Sequence, residues 1–401
     1  MKQALITGFM AAAAALAVSG CAVKAGGQQA PPPPPDEAVA SAPTFAPPQP
    51  TETPETAEEG GASEGPVSAA VPAGKAEAGE VLFVRDSQIW AVTPGGEPRP
   101  ITAFEGAPVI RDLAISPDGR RLAFTLDGAA LGLLDLMEGL LVVIDDGLPS
   151  LAGFPTWSQD SRLLYYQRII FDASSVPSTS EIWWMGMQPG DYPEPVHAVR
   201  LADGTEIAPL FALEERLVML ELAAGEEPSA RLLLYDPEGG VIPQTGDLGA
   251  LSILDISPER DRVLAIDQLE PAHLFVAAYG LEAGIGEPED ISPEEGAIYT
   301  DARFAPDGAH IAALLYVASE GGLTSRALAL TPQDDGTTAA ITLAAGTEGR
   351  DAALVWYGSS AVILQRIPPD GGASELWLAP IDGQPGSLIT TGEQPVVVPG
   401  S

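Results

Sequence analysis

The chain has 401 residues, 45% of them hydrophobic, enough for one large domain or two ordinary ones with a sizeable core. Its 19 Lys and Arg stand against 56 Asp and Glu, a formal net charge of −37, which repels nucleic acid phosphates and anionic headgroups and leaves cations or a basic partner to be attracted. One cysteine, Cys21, excludes an internal disulfide framework or thiolate cluster, and three histidines (His197, His273, His310) leave nucleophilic catalysis short of bases.

The first element is MKQALITGFMAAAAALAVSGC. Lys2 supplies a positive start, an apolar run extends from Ala4 to Val18, and the small residues Ser19 and Gly20 follow. That is the layout of a secretory signal peptide over residues 1–20. The run is short for a membrane span, and no later stretch reaches about 18 uninterrupted apolar residues, so no transmembrane helix is expected. Val18-Ser19-Gly20-Cys21 resembles the bacterial lipoprotein signal, the lipobox, with Val where Leu is commoner. The resemblance implies cleavage before Cys21, lipid on that residue and an address outside the cytoplasm; Ala22 fits outer-membrane sorting by the same analogy. Each acyl chain would contribute about 0.8 kcal/mol per buried methylene.

Residues 21–79 read as a lipidated cysteine followed by a disordered tether rich in Pro, Ala and Glu. PPPPP (Pro31 to Pro35) is stiff and extended, the Gly and Ser parts are coil, and too little apolar surface is present to offset the entropy of ordering. Gly61-Ala62-Ser63-Glu64-Gly65 matches the G-x-S-x-G pattern of serine hydrolases. That chemistry needs a strained strand-to-helix turn, and a tether provides neither element.

From Glu80 to Ser401 the composition becomes that of a β domain: short apolar runs separated by Gly, Pro and Asp. ISPDGRRLAF (Ile115 to Phe124) is echoed by WSQDSRLLYY, ISPERDRVLA and FAPDGAHIAA. Aligned on Ser116, the turn recurs at Ser158, Ala212, Ser257, Ala305 and Tyr357, at intervals of 42 to 54 residues. That is the length of a four-stranded propeller blade with loop insertions. Each unit has a strand ending in a bulky residue (Ile115, Trp157, Phe211, Ile256, Phe304, Trp356), the turn, an apolar strand, a third strand and a weaker fourth. Asp and Gly suit the turn because Gly accepts positive φ and Asp bonds its own backbone. VLFVRD, QIWAVTP and RPITA near Glu80 lack an inner strand, and EQPVVVPG at the far end is one strand to spare. The expectation is an all-β propeller of about seven four-stranded blades, closed by pairing of the N- and C-terminal strands; six or eight blades also fit the spacing.

SPDGRRLAF, WSQDSRLLYY and FAPDGAHIAA resemble the TolB-like (WD40-like) propeller repeat, which is similar to the repeats of prolyl oligopeptidase-type propellers. The resemblance covers the chain after the tether. FALEERLVML lacks its Pro and Gly, and WYGSSAVILQ lacks its acidic residue. It implies a propeller; it does not imply a TolB role, since a tether stands where TolB has an α/β domain, nor a hydrolase domain of the oligopeptidase kind. The repeat occurs in binding, scaffolding and enzyme-associated proteins alike.

Polar residues on the inner strands are the candidates for a channel site: Arg111, Asp112, Asp255, Asp301 and Arg303. They can equally bond one another or water along the wall. Trp183, Trp184 and Trp377 lie on third strands and read as packing between blades. Asp145-Asp146-Gly147, Asp334-Asp335-Gly336 and Glu294-Glu295-Gly296 are acidic enough for Ca²⁺ but lack dedicated loop spacing, and suit turns. The three histidines fall in different blades. No catalytic residue, metal ligand or cofactor is expected. The functional expectation is a lipid-anchored, monomeric, extracytoplasmic scaffold that binds a protein of the cell envelope. The alternatives are a propeller hydrolase or lyase acting on peptide or glycan, and a glycan or small-molecule sensor reading its ligand at the channel mouth.

Overall fold

The structure is a computed structural model. It describes residues 71–400 apart from the short segments 145–148, 189, 214, 224–228, 245–250, 268–271, 320–321, 334–336 and 344–348. Residues 18–21 with their lipidation signal, the Gly61–Gly65 stretch, and the acidic groups at 145–147 and 334–336 lie outside the described residues.

Strands follow one another with a single 3-10 turn at Leu201–Asp203 among the described residues. They form seven antiparallel sheets. Numbered by chain order of their inner strands, blade 1 starts at Ile110–Ile115, blade 2 at Ser150–Trp157, blade 3 at Thr205–Leu213 and blade 4 at Leu251–Ile256. Blade 5 starts at Ile298–Phe304, blade 6 at Arg350–Tyr357 and blade 7 at Glu393–Val397. Blade 7 is composite: Val397 pairs with Val81, Val396 with Leu82 and Glu393 with Val84, so the last strand completes the first three. The architecture is therefore the closed seven-bladed ring, which settles the count that spacing left between six and eight.

The core explains why a ring is needed. Buried side chains fall into seven clusters, and each lies on one seam between neighbouring blades. Leu164 and Tyr166 face blade 1 while Tyr165 between them faces blade 3, the period-two alternation of a strand buried on both faces. Trp183, Trp184 and Trp377 all pack in these seams.

The repeated turn is built by a serine. Ser116, Ser158 and Ser257 are fully buried. Ser116 Oγ donates to Asp118 Oδ1 at 2.6 Å and accepts from the Arg121 N–H at 2.9 Å; Ser158 does the same with Asp160 and Leu163, and Ser257 with Asp261 and Arg262. The hydroxyl thus satisfies polar groups that the sharp reversal would otherwise leave buried and unpaired. Turns also bond from blade to blade: the Asp118 N–H donates to Ser161 Oγ, and Arg262 Nη2 to Gly308 O.

Residues Val71 to Gly79, assigned to the tether by composition, lie along the propeller. Val71–Pro72 pairs with Leu140–Leu141 as an added outer strand of blade 1. The Ala73 N–H donates to Gly139 O, and the Gly74 N–H to Ile101 O. Small residues permit this: a Cβ on Gly74 would sit 2.9 Å from Ile101 Cα, and one on Gly139 would sit 2.5 Å from Ala73 O. Arg99 then clamps the segment through Lys75 O and the Glu80 carboxylate. Composition misses such docking because backbone hydrogen bonds do most of the holding, with only the small Ala73 and Ala76 packing into the seam.

Candidate functional site: the axial wall

The inner strands line the axis. Taking the buried turn residue of each blade as a reference (Ser116 in blade 1, Val398 in blade 7), its immediate predecessor is usually buried in a seam, as Trp157, Phe211, Phe304 and Trp356 are. Residues two places earlier reach the axial cavity, Asp255, Arg303, Val355 and Val396 among them, and residues four places earlier form a second tier of the same strands. Asp255 and Arg303 hold the nearer tier; Gln394, Asp112, Phe154 and Asp301 hold the farther one. Asp112, Phe154 and Arg303 are exposed, and Gln394, Asp255 and Asp301 are half-buried.

Every inner strand carries a register shift against its second strand. A bulge of this kind bends the strand and re-aims side chains. In blades 7, 1 and 2 the residue at the shift (Gln394, Asp112, Phe154) has a φ of 52°.

The predicted candidates divide into two places. Asp255, Asp301 and Arg303 converge between blades 4 and 5. Arg303 Nη2 lies 3.4 Å from Asp301 Oδ1, and Nη1 donates to Leu254 O at 2.7 Å. The Phe304 N–H donates to Asp255 Oδ2 at 2.8 Å. Burial pushes the Asp255 carboxyl up to about 6; Arg303 and the backbone donors of Phe304 and Ile256 oppose the shift, and Asp301 adds to it. Protein surrounds this carboxyl while the residue keeps some accessible surface. Arg111 and Asp112 sit apart in blade 1. Asp112 keeps an exposed edge, yet desolvation of its carboxyl by the surrounding protein raises it, against Thr125 Oγ1, which donates to Asp112 Oδ2 at 3.2 Å, and against the Arg111 charge.

Sequence reasoning missed Arg260. It occupies the left-handed turn position (φ 63°) that Gly119 and Gly308 fill elsewhere. Burial disfavours its charged form and the Asp255 charge favours it. The ISPER sequence carried the signal: a bulky residue where the repeat has Gly.

Asp255 and Arg303 border an axial cavity of about 270 Å³ at the turn end of the channel. Its walls are apolar, including Phe304, Leu354, Trp356 and Val396 from blades 5, 6 and 7. A smaller space of about 80 Å³ adjoins Asp255 beside Phe211.

The histidines lie elsewhere. His273 Nδ1 is 2.8 Å from Asp290 Oδ2, His310 Nδ1 is 2.9 Å from Thr331 Oγ1, and His197 is on the outer strand of blade 2. Glu294 is within 3.5 Å of Arg326. Among the described residues no group of three or more His, Cys, Asp or Glu is arranged to hold a metal, and no helix is long and apolar enough to cross a membrane.

Fold and axial wall together define a seven-bladed β-propeller with a polar cluster beside an apolar-walled axial cavity. No protein-family model matches the chain, and no curated protein is a significant match. Solved structures do match. An oligogalacturonate lyase from Vibrio parahaemolyticus is similar with a TM-score of 0.54 at 12% identity, over 80% of this chain and 86% of that one. Prolyl oligopeptidase B from Galerina marginata gives 0.57 at 12%, over 82% of this chain and 51% of that one, so the chain spans about half its length. The propeller domain of the Trilobed protease from Pyrococcus furiosus, described as having an open velcro topology, gives 0.53 at 14%, over 81% and 99%. At these identities the likeness shows the propeller fold. The ring described here is closed by its last strand.

Proposed function

We propose that the protein is a lipid-anchored, non-catalytic binding module of the cell envelope, built on the TolB-like repeat and held outside the cytoplasm through Cys21. Its partner is an envelope protein that presents a basic or amphipathic segment to the turn end of the channel. The observation that carries this reading is the axial cavity of about 270 Å³, with Asp255 and Arg303 set among apolar walls. Ligand pockets for drug-sized molecules begin near 300 Å³, so this space suits one anchoring side chain from a larger surface. The net charge of −37 steers a basic partner toward it.

Two experiments test the reading. Cys21→Ser should move the protein from the membrane fraction to the soluble extracytoplasmic fraction; retention in the membrane contradicts the anchor. Pull-down from envelope extract should recover one specific protein, and Asp255→Asn, which removes the negative charge facing a basic segment, should weaken its capture. Capture unchanged by Asp255→Asn places the partner elsewhere and rejects this site.

Asp255 also supports a second reading. A carboxyl titrating near 6 suits general acid–base work, and the solved structures of similar fold include a lyase and peptidases. Turnover of an oligogalacturonate or prolyl peptide by the wild type, abolished by Asp255→Asn, would establish it.

A further inference from the structure

The three left-handed residues Gln394, Asp112 and Phe154 come from consecutive blades and stand at the same register, four places before the turn residue. Bulky L residues rarely adopt this backbone conformation. Here it is held by a phenylalanine that is 47% exposed. Its neighbours are acceptors. Gln394 is fixed because its backbone N–H donates to Gln365 Oε1 and its Nε2 donates to Ile110 O, 2.8 and 2.9 Å away. That leaves Oε1 without a hydrogen bond among the described residues. Asp112 uses Oδ2 to accept from Thr125 and has Oδ1 to spare. Gln167 spends its Nε2 on Ser180, Glu206 and Ile207. A Cβ built on Gly153 would sit 3.8 Å from Asp112 Oδ2 and 4.0 Å from Gln167 Oε1. The missing side chain therefore leaves room beside two acceptors, one residue before Phe154.

An arc of acceptors beside one aromatic face calls for a ligand rich in donors with an apolar face. An extended peptide does not meet this need, because it would pair with the free edge of an inner strand, and all seven edges are interrupted by register shifts. Anionic sugars are opposed by Asp112 and by the overall charge. We propose that this arc binds a neutral saccharide, its apolar face stacked on Phe154 and its hydroxyls donating to Asp112 and Gln394. The site lies on a different tier of the channel wall from Asp255 and goes beyond the partner-binding reading.

The test is calorimetric titration of the full-length protein with chitotetraose and cellotetraose. At least one should bind saturably at one site per chain. Phe154→Gly, which suits the left-handed backbone and so folds, should weaken binding at least about tenfold. Asp112→Asn, also tolerated at positive φ, should weaken it by about fivefold or more. Phe154→Tyr keeps the aromatic face and should bind as the wild type does. Asp255→Asn should leave sugar affinity within about twofold, and Phe154→Gly should leave protein capture intact, so the two readings fail separately. No binding of either sugar, or binding that survives Phe154→Gly, overturns the proposal. Binding of tetralysine instead, abolished by high salt, would assign the arc to a cation and also overturn it.

Discussion

At the seam between blades 5 and 6, the Trp356 indole donates to Arg303 O at 2.9 Å; between blades 1 and 2, Trp157 donates to Ala114 O at 3.0 Å. Between blades 4 and 5 the equivalent residue is Phe304, which has no side-chain donor. There the backbone N–H of Phe304 reaches across to Asp255 Oδ2 at 2.8 Å. The same link between inner strands is made twice by a neutral indole and once by a carboxylate. The indole seams are indifferent to pH. The carboxylate seam is not, and its Asp255 borders the axial cavity that Trp356 also lines. Structural stitching and candidate binding chemistry therefore share one residue.

Removing the closing strand breaks this comparison most severely. Truncation before Glu393 strips the inner strand from blade 7 and exposes the seam clusters on both sides of it. The truncated chain should lose its cooperative melting transition by calorimetry. Next comes Trp356→Ala, which empties a seam and removes the indole bond; a loss of about 3–5 kcal/mol is expected in denaturant unfolding. Trp356→Phe, which mimics the Phe304 seam without its carboxylate, should cost about 1 kcal/mol.

Asp255→Asn sharpens the contrast in the opposite direction. The folded-state carboxyl is raised from 3.8 to about 6, so protonation favours folding. Its stabilising effect is complete below about pH 3.8 and is lost as pH rises through about 6. At pH 7 the variant, which keeps an acceptor for Phe304 N–H but no charge, should be more stable than wild type by up to about 3 kcal/mol. The stability difference should shrink toward pH 4. The smallest effect is expected at the turns: Ser116→Ala leaves the Arg121 N–H without its hydroxyl partner and should cost about 1 kcal/mol, with no change in pH dependence.

Much of this molecule was legible because its repeat is chemical as well as numerical. Ser, Asp and Gly at the turn, a bulky residue before it and a spare strand at the far end all have direct structural causes. The register shifts were not legible. Asp112, Phe154 and Gln394 carry no glycine to mark a left-handed residue, and a one-residue slip leaves the alternating pattern on either side intact. The grouping of the candidates was hidden for a related reason. Asp255 and Arg303 lie 48 positions apart by their numbers and meet only because consecutive blades are adjacent on the ring. Arg111 and Asp112 looked like members of the same set, yet they belong to a different blade and tier.

The most direct test follows the Asp255 carboxyl by carbon NMR across pH, in the wild type and in Arg303→Ala. The account predicts a midpoint near 6 in the wild type and a higher one once the guanidinium is gone. A wild-type midpoint near the ordinary carboxylate value, unmoved by Arg303→Ala, would mean that Asp255 stands in open water, and would contradict both the charged seam and the axial site built on it.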